Sequence, residues 1–321
     1  MFLSIIIPLY NCEKYISRSL DVILATKFPV DDYEVIIIND GSNDRGVEIC
    51  QEYTEKYAHI KLYCQDNMGA SAARNAGMDR AKGSYIWFVD ADDVIVPSFF
   101  LKAYHLLKNN PVELLCFNFQ KTYSRQVEDV NDFVQEQKLS GVDFLKGHYS
   151  NFIWNKIYRM TALRGKRFLD GTKNIEDMLF NMMTIIDIEN VLCVPYIGYQ
   201  YNCLNNNSTS RNRSIRNLVK LDQDSILVLT ALNKFANKQS DIIKKNILQE
   251  YLNFSIAGHL YSLFKFYSPQ RLQKRITYYR HLGLYPVEKS DNRKGNFFLI
   301  IANHDKLMVN IMRLLRWIRF C

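Results

Sequence analysis

The chain has 321 residues, 48% of them hydrophobic, so it can form one large domain or two smaller ones with packed cores. Its net charge of +8 is uneven: residues 265–321 carry 12 Lys and Arg against 3 Asp and Glu, whereas residues 1–264 carry 29 against 30. The nearly neutral main part argues against a nucleic-acid-binding protein and leaves the basic tail as a separate question.

The cysteines and the N-terminal residues bear on the cellular compartment. The seven cysteines are scattered, and no Cys-x-x-Cys pair occurs. This pattern argues against a disulfide framework or a structural zinc site and favours a reducing compartment. The apolar run at 2–8 lacks a basic leader and a small-residue cleavage site, so we expect a first strand there rather than a secretion signal. No apolar run approaches the ~18 residues of a membrane span.

The first 120 residues alternate between strand and helix patterns. Strands are predicted at about 2–8, 35–38, 60–64, 85–89 and 112–119, and helices at about 13–25, 45–57, 70–82 and 97–109. Asn11 is predicted to cap the first of these helices. Continuous apolar strands that alternate with helices predict an α/β fold with a mostly parallel sheet covered on both faces.

Polar side chains follow four of the predicted strands. Ligands of such sheets bind beyond the carboxyl ends of the strands, so these residues form a candidate polar cleft. They are Tyr10, Asn11, Asn39, Asp40, Ser42, Asp66, Asn67, Gly69, Asp90, Asp92 and Asp93.

The run from Tyr85 to Asp93 is the most informative of these strand ends. Five residues suited to a buried strand lead into an Asp-x-Asp-Asp group. Ionised Asp is costly to bury, so these carboxylates should face a cleft. Mg²⁺ and Mn²⁺ prefer oxygen ligands and often bind through one or two carboxylates plus substrate phosphates. The alternative is a solvated turn in which Asp93 caps the next helix.

The rest of the chain is less regular until about residue 215. Residues 120–150 are polar and poorly periodic, the Asn-rich segment 202–213 indicates a loop or boundary, and helical spacing follows. The segment 306–320 has one apolar arc and an opposite basic face. It could lie on an anionic membrane surface or pack on its own domain, and the sequence leaves both open.

Four ordered motifs carry a resemblance to a known family. The segments Ser4–Asn11, Ile38–Ser42, Gly69–Gly77 and Asp90–Asp93 together resemble family 2 glycosyltransferases with the GT-A fold. The match is close over about 3–110 and looser to about 211. The resemblance implies a nucleotide-sugar-binding and catalytic GT-A domain at 1–211, followed by a helical C-terminal region at 212–321.

The resemblance also implies roles for individual residues. It places Pro8, Tyr10 and Asn11 at the nucleotide base. Asp40 would accept a hydrogen bond from the uracil imide, and a donor-binding role falls to Arg74, whose guanidinium can recognise acceptor groups in bidentate fashion. Asp90 would contact the ribose. Asp92 would bind the metal ion, which is Mn²⁺ or Mg²⁺. Asp93 is the second candidate ligand and could instead cap the helix that follows.

The catalytic base and the acceptor site are implied further along the chain. The segment Asn174–Phe180 resembles the Glu-Asp motif that opens a helix beyond the metal site in this family. The resemblance makes Asp177 the first choice for the base and Glu176 the second. The alternative is that both acids only complement the helix N-terminus. Trp154 and Lys156 lie in a segment similar to one in capsule-type members and are candidate acceptor contacts. They could equally be a core tryptophan and a solvated lysine.

The implied activity is inverting transfer of a hexose or N-acetylhexosamine from a UDP-sugar to a glycan hydroxyl, on a free or lipid-linked acceptor. The implied setting is bacterial surface-polysaccharide assembly in the cytoplasm or at the inner face of the plasma membrane. Two alternatives stay open. One is a non-catalytic nucleotide-sugar-binding or scaffold protein. The other is a sugar-phosphate nucleotidylyltransferase, which would want a Gly-rich, Arg-bearing loop where this chain has Leu9–Glu13.

Overall fold

The computed structural model describes residues 1–26, 28–147, 149–205, 214–287 and residue 310. Contacts divide the chain into two compact units, Met1–Arg213 and Ser214–Cys321. Within the described ranges, no helix is both long and apolar enough to cross a bilayer. The basic segment predicted at 306–320 lies, except for residue 310, outside the described residues.

The first unit is an α/β structure built on a single sheet. Its strands are β1 (Leu3–Leu9), β2 (Tyr33–Asp40), β3 (Ile60–Gln65), β4 (Tyr85–Phe88), β5 (Val94–Ile95), β6 (Leu114–Thr122), β7 (Val127–Val130), β8 (Gln137–Leu139), β9 (Lys156–Arg159) and β10 (Val191–Asn202). Its helices are α1 (Ile16–Leu24), α2 (Gly46–Lys56), α3 (Ala70–Arg80), α4 (Pro97–Asn109), α5 (Gly141–Lys146) and α6 (Glu176–Ile185).

The strand order is β3-β2-β1-β4-β9-β6-β10-β5, with β7 beside β6 and β8 beside β10. Strands β3, β2, β1 and β4 run parallel, as do β6 and β10. Strand β9 runs antiparallel to both neighbours, β4 and β6. The predicted α/β class is confirmed. Strand β9 separates the parallel group β3-β2-β1-β4 from the parallel pair β6 and β10, to which the short strands β5, β7 and β8 add antiparallel pairs.

The apolar content of the first strands explains why they are central. Every residue of β2 is buried, and so is every residue of β1 except Pro8. Helix α3 covers one face of these strands closely, because a Cβ at Gly77 would lie only 2.3 Å from Cγ2 of Ile6. The absence of a side chain at Gly77 therefore lets α3 pack directly on β1.

The region predicted to be irregular, 120–150, contains regular structure. Strand β7 pairs with β6, β8 pairs with β10, and Ser140 caps α5 by accepting a hydrogen bond from the Asp143 N–H at 3.1 Å. The β7 residues are mostly exposed. An exposed edge strand has no buried face to impose an apolar alternation, so the sequence carries little signal for it.

The second unit is helical in its described part, with α7 (Ile215–Asn237), α8 (Ile242–Phe266) and α9 (Pro269–His281). The buried Asp222 of α7 joins these elements. Its Oδ1 lies 3.1 Å from His259 Nε2, and its Oδ2 accepts hydrogen bonds from Tyr267 and Arg275. Burial favours the neutral acid, but these partners outweigh it and lower the pKa of Asp222.

Candidate active site

The ends of the parallel strands meet at one edge of the sheet, as predicted. Asn11 follows β1 in the left-handed conformation, at φ 51°, a region that Asn adopts more readily than most residues. Its N–H donates to Ser42 Oγ at 3.1 Å, and its Oδ1 accepts from the Asn43 N–H at 2.8 Å. The prediction that Asn11 caps the first helix was wrong, because α1 begins only at Ile16 and Asn11 instead joins the ends of β1 and β2.

The two other residues expected at the nucleotide base lie on the same edge. Pro8 is half-buried within β1, and Tyr10, directly after that strand, is 45% exposed. An exposed aromatic ring beside the strand ends is available for stacking on a planar ligand. The base contact of these residues stays a prediction.

Asp40, at the end of β2, is 3% exposed and organises the neighbouring loop. Its Oδ1 accepts hydrogen bonds from Gln65 Nε2 at 2.9 Å and from the Met68 N–H at 2.8 Å. Its Oδ2 accepts from the Gly69 N–H at 2.8 Å. Asp40 therefore holds the segment that precedes α3, a role that the sequence analysis did not assign, and its contact with uracil stays a prediction.

The centre of the site is the guanidinium of Arg74, which α3 presents to three carboxylates. Nη2 lies 3.0 Å from Asp90 Oδ1, and Nη1 lies 3.0 Å from Glu176 Oε1 and 3.4 Å from Asp177 Oδ1. The Arg74 side chain is only 6% exposed, so the ion pairs are shielded from water. One cation thus brings together the end of β4 and the start of α6, which lie far apart in the chain.

The two acids of α6 follow a strained residue. Ile175, at the N-cap, has φ 55° and ψ 12°, a left-handed conformation that is unfavourable for a β-branched side chain. Glu176 and Asp177 then occupy the first turn, where the helix dipole favours negative charge. The Asp177 side chain is 23% exposed and that of Glu176 is 10% exposed, so Asp177 is the more accessible to a ligand.

The electrostatics of the cluster favour proton exchange at Asp177. Burial raises its pKa to about 7; Arg74 opposes this shift, while the negative charges of Glu176 and Asp90 add to it. A carboxyl group that titrates near neutrality is suited to accept a proton from a hydroxyl group. Burial disfavours the charged form of Arg74, but its three carboxylate partners outweigh burial and raise its pKa.

The two acids after Asp90 have different surroundings. Asp92 is partly exposed, and its Oδ2 accepts a hydrogen bond from Asn205 Nδ2 at 2.7 Å. Asp93 is 1% exposed, and its Oδ1 accepts from the Asn202 N–H at 2.7 Å. Burial, and then the charges of Asp92 and Asp90, raise the pKa of Asp93 well above its ordinary value.

This geometry corrects the predicted role of Asp93. A metal ligand needs an oxygen that faces the cleft, whereas Asp93 is 1% exposed and its Oδ1 is bonded to the end of β10. Nor does Asp93 cap the next helix, because it bonds to β10. Within the described part of the chain, no group of three or more His, Cys, Asp and Glu side chains is arranged around a common metal position.

The acceptor contacts predicted at Trp154 and Lys156 are also corrected. The Trp154 ring is 2% exposed and stacks on Tyr199, with centroids 4.6 Å apart. Lys156 is 1% exposed, and its ammonium donates to the carbonyl oxygens of Ser150 and Phe152, each at 2.7 Å, and to Asn155 Oδ1 at 2.9 Å. The alternative of a solvated Lys156 is also wrong, because protein oxygens bind its ammonium group. Both side chains are buried, so neither can reach an acceptor.

Three residues near the end of β10 support the site and were missed by sequence reasoning. The Tyr199 hydroxyl accepts a hydrogen bond from the Asp90 N–H at 3.0 Å, and Asn202 and Asn205 bond to Asp93 and Asp92. They lie more than 100 positions from the acids, which follow β4. The only signal was an unexplained Tyr-Gln-Tyr group and an Asn-rich segment.

Comparison with known proteins gives related sequences and structures. The chain is 31% identical over 200 residues to "Uncharacterized glycosyltransferase EpsJ" of Bacillus subtilis, a match that covers 59% of this chain and 57% of that protein. It therefore spans less than two thirds of the length of this relative. It is also 27% identical over 208 residues to the poly(ribitol-phosphate) beta-N-acetylglucosaminyltransferase TarS of Staphylococcus aureus, over 63% of this chain and 35% of TarS.

The fold is similar to that of two solved transferases. The crystal structure of TarS 1–349 in complex with UDP-GlcNAc matches with a TM-score of 0.72 at 19% identity, over 99% of this chain and 92% of that one. The mannosyltransferase PcManGT of Pyrobaculum calidifontis, in complex with GDP-Man and Mn²⁺, matches with a TM-score of 0.55 at 14% identity, over 97% and 86%. These likenesses confirm the predicted GT-A fold.

The family follows from the sequence profile. The profile of Glycosyl transferase family 2 matches residues 4–166, which is half of the chain and extends from the second residue of β1 past β9, with the acids after β4. The chain belongs to glycosyl transferase family 2.

Proposed function

We propose that the chain transfers a hexose or N-acetylhexosamine from a UDP-sugar to a hydroxyl group of a bacterial surface glycan, with inversion at the anomeric carbon. The observation that carries the proposal is the joining of Asp177 to the strand-end carboxylate Asp90 through Arg74. The names of the relatives support the reaction class, since EpsJ is described as a glycosyltransferase and TarS as a transferase that acts on poly(ribitol phosphate).

Asp177 is the proposed catalytic base. It would take the proton from the acceptor hydroxyl while that oxygen forms a bond to the anomeric carbon and the bond from this carbon to the UDP oxygen breaks. A single displacement of this kind inverts the configuration. Glu176 lies against the same nitrogen of Arg74 but is more buried, so we propose that it orients the guanidinium.

The donor would lie along the carboxyl edge of β1, β2 and β4. The uracil would contact Pro8, Tyr10 and Asn11, with Asp40 close by, and the ribose would contact Asp90. Arg74 is the exception among the predicted donor contacts. Its buried guanidinium already serves three carboxylates, so we propose that it positions these acids rather than the donor.

A divalent cation, Mn²⁺ or Mg²⁺, would be held by Asp92. The donor set fits a hard cation in chemistry, because Asp92 offers a partly exposed carboxylate and the remaining ligands would be pyrophosphate oxygens and water. When bound, the ion would neutralise negative charge on the departing UDP.

We propose that the two regions predicted from the sequence have different functions. Residues 1–211 would bind the donor and catalyse transfer, and the C-terminal region from 212 onward would be helical. A separate proposal is that residues 306–320 hold the enzyme at the inner face of the plasma membrane, near a lipid-linked acceptor. Binding to anionic vesicles would test it.

Thermal unfolding in the presence of nucleotides tests the donor assignment. We expect UDP with Mn²⁺ to raise the melting temperature, UDP alone to raise it less, and Asp92→Ala to lose the gain due to metal. Equal stabilisation by GDP would show that the uridine assignment is wrong.

A second measurement separates a transferase from a binding protein. We expect slow Mn²⁺-dependent hydrolysis of a UDP-sugar by the wild-type chain, lost in Asp177→Asn although UDP binding is retained. Binding of UDP-sugars without turnover on water or on any glycan would favour a non-catalytic scaffold.

A further inference from the structure

An exposed aromatic ring lies at the end of a stack inside the first unit. The Phe152 ring is 39% exposed and stacks on Trp154, with centroids 4.6 Å apart and planes 15° apart. Trp154 in turn stacks on Tyr199. Trp154 covers one face of the Phe152 ring, so a ligand could stack only on the other face.

The backbone beside Phe152 is joined to the helix that carries the proposed base. The Asn151 carbonyl accepts a hydrogen bond from Asn181 Nδ2 at 2.5 Å. Asn181 lies four residues after Asp177 on α6, so the two side chains share a face of the helix. The residue preceding Phe152 is therefore within about one helical turn, ~5.4 Å along the axis, of the level of Asp177.

The other end of the stack is joined to the strand-end acids. The Tyr199 hydroxyl accepts a hydrogen bond from the Asp90 N–H at 3.0 Å. Tyr201, two residues further along β10, lies nearly parallel to Phe152, with centroids 6.5 Å apart. The segment that carries Phe152 is thus bonded to α6 at Asn151, and the stack that begins at Phe152 reaches the Asp90 backbone through Tyr199.

The ring is also held rigidly. Lys156 donates a hydrogen bond to the Phe152 carbonyl at 2.7 Å, and the Phe119 ring packs edge-on against the Phe152 ring at 5.6 Å. A side chain that is already ordered loses little conformational entropy when a ligand binds to it. An aromatic face exposed at such a place is therefore suited to be a binding surface.

We propose that the exposed face of Phe152 is a stacking platform for a pyranose ring of the acceptor glycan. The C–H groups on one face of a pyranose carry partial positive charge and are attracted to the negative face of an aromatic ring. This inference rests on the proposed function, because the ligand is taken to be the glycan whose hydroxyl group Asp177 deprotonates. It moves the acceptor contact expected at Trp154 to the neighbouring exposed ring.

The test compares substitutions at Phe152 with one at a distant exposed aromatic. Phe152→Ala and Phe152→Leu remove the aromatic face, Phe152→Tyr keeps it, and Tyr57→Ala is the control. Tyr57 is 38% exposed and directly follows α2, three residues before the edge strand β3. Binding of methyl glycosides of common hexoses and N-acetylhexosamines would be followed by ligand-observed NMR with UDP and Mn²⁺ present, together with the rate of UDP-sugar hydrolysis.

We expect at least tenfold weaker glycoside binding in Phe152→Ala and Phe152→Leu, wild-type binding in Phe152→Tyr and Tyr57→Ala, and hydrolysis within about twofold of wild type in the Tyr57→Ala control. Equal binding by wild type and Phe152→Leu would overturn the proposal, and the Leu variant decides the question if the Ala variant is unstable. Glycosides that bind through Phe152 to a chain without hydrolytic activity would support this site while contradicting the proposed function.

Discussion

Arg74 Nη1 and Asp177 Oδ1 lie 3.4 Å apart, although 103 positions separate the two residues in the chain. The same guanidinium pairs with Asp90 and Glu176. A buried cation shared by three acids fixes the position of the proposed base relative to the end of β4. It also limits how far burial raises the pKa of that base, so that the acid still ionises near neutral pH.

The first prediction concerns the pH dependence of activity. Because the pKa of Asp177 is about 7, the hydrolysis rate should rise with pH and level off above neutrality, falling tenfold per pH unit below it. Asp177→Asn should lower the rate by about 10²–10⁴-fold and remove this limb. Asp79→Asn, an exposed carboxylate on α3, is the matched control. A limb that persists in Asp177→Asn would assign the base elsewhere.

The second prediction concerns the effect of Asp177 on stability. Its pKa is raised in the folded state, so the folded chain holds the proton more tightly than the unfolded chain between about pH 4 and pH 7. The stabilising contribution of the protonated group is complete below pH 4 and is lost as pH rises to about 7. Urea unfolding should show a smaller decline across this window in Asp177→Asn than in wild type. An equal decline in both proteins would contradict the assignment.

The third prediction concerns Arg74. Arg74→Ala should lower the free energy of unfolding by about 3–5 kcal/mol at pH 8, because it leaves three carboxylates without their buried cation. The loss should shrink at pH 6, where Asp177 can take up a proton. Arg80→Ala, on the exposed end of the same helix, should change stability by no more than about 0.5 kcal/mol. Equal losses of stability in the Arg80 and Arg74 variants would show that the buried ion pairs of Arg74 do not stabilise the fold.

The fourth prediction separates the neighbouring acids Asp92 and Asp93. Asp92→Asn should abolish the stabilisation that Mn²⁺ adds to UDP binding. Asp93→Asn should keep it, because an amide oxygen can still accept the hydrogen bond from the Asn202 N–H. Asp93→Ala should lower the free energy of unfolding by about 1–3 kcal/mol through loss of that acceptor. Loss of the metal effect in Asp93→Asn would restore Asp93 as a ligand.

The fifth prediction tests the structural role of Trp154. Trp154→Ala should lower the free energy of unfolding by about 3–5 kcal/mol, because it opens a cavity between the Phe152 and Tyr199 rings. Any loss of activity should then follow the loss of folded protein, as measured by urea unfolding and hydrolysis on the same samples. A fully stable variant that had lost hydrolysis would contradict a purely structural role for Trp154.

Much of the fold could be predicted because it is local. Strands β1, β2 and β4 are continuous apolar runs, and parallel strands place their carboxyl ends at one edge, so the polar rim with Asp40 and Asp90 followed from periodicity alone. The position of Asp177 at the start of α6 was also predicted, because its segment resembles a helix-opening motif of the family. Strands β7 and β8 were not predicted, since their short polar edges have no buried face.

Residues close together in the chain were enough to predict the α/β class, the acidic strand end and the family motifs. The use that the protein makes of these residues depends on how the chain folds. Folding buried Asp93 and Lys156, exposed Phe152, and brought Arg74 from α3 against acids of β4 and α6. Burial and ion pairing depend on contacts between residues about a hundred positions apart, which form only when the chain folds. A local sequence pattern therefore does not predict them.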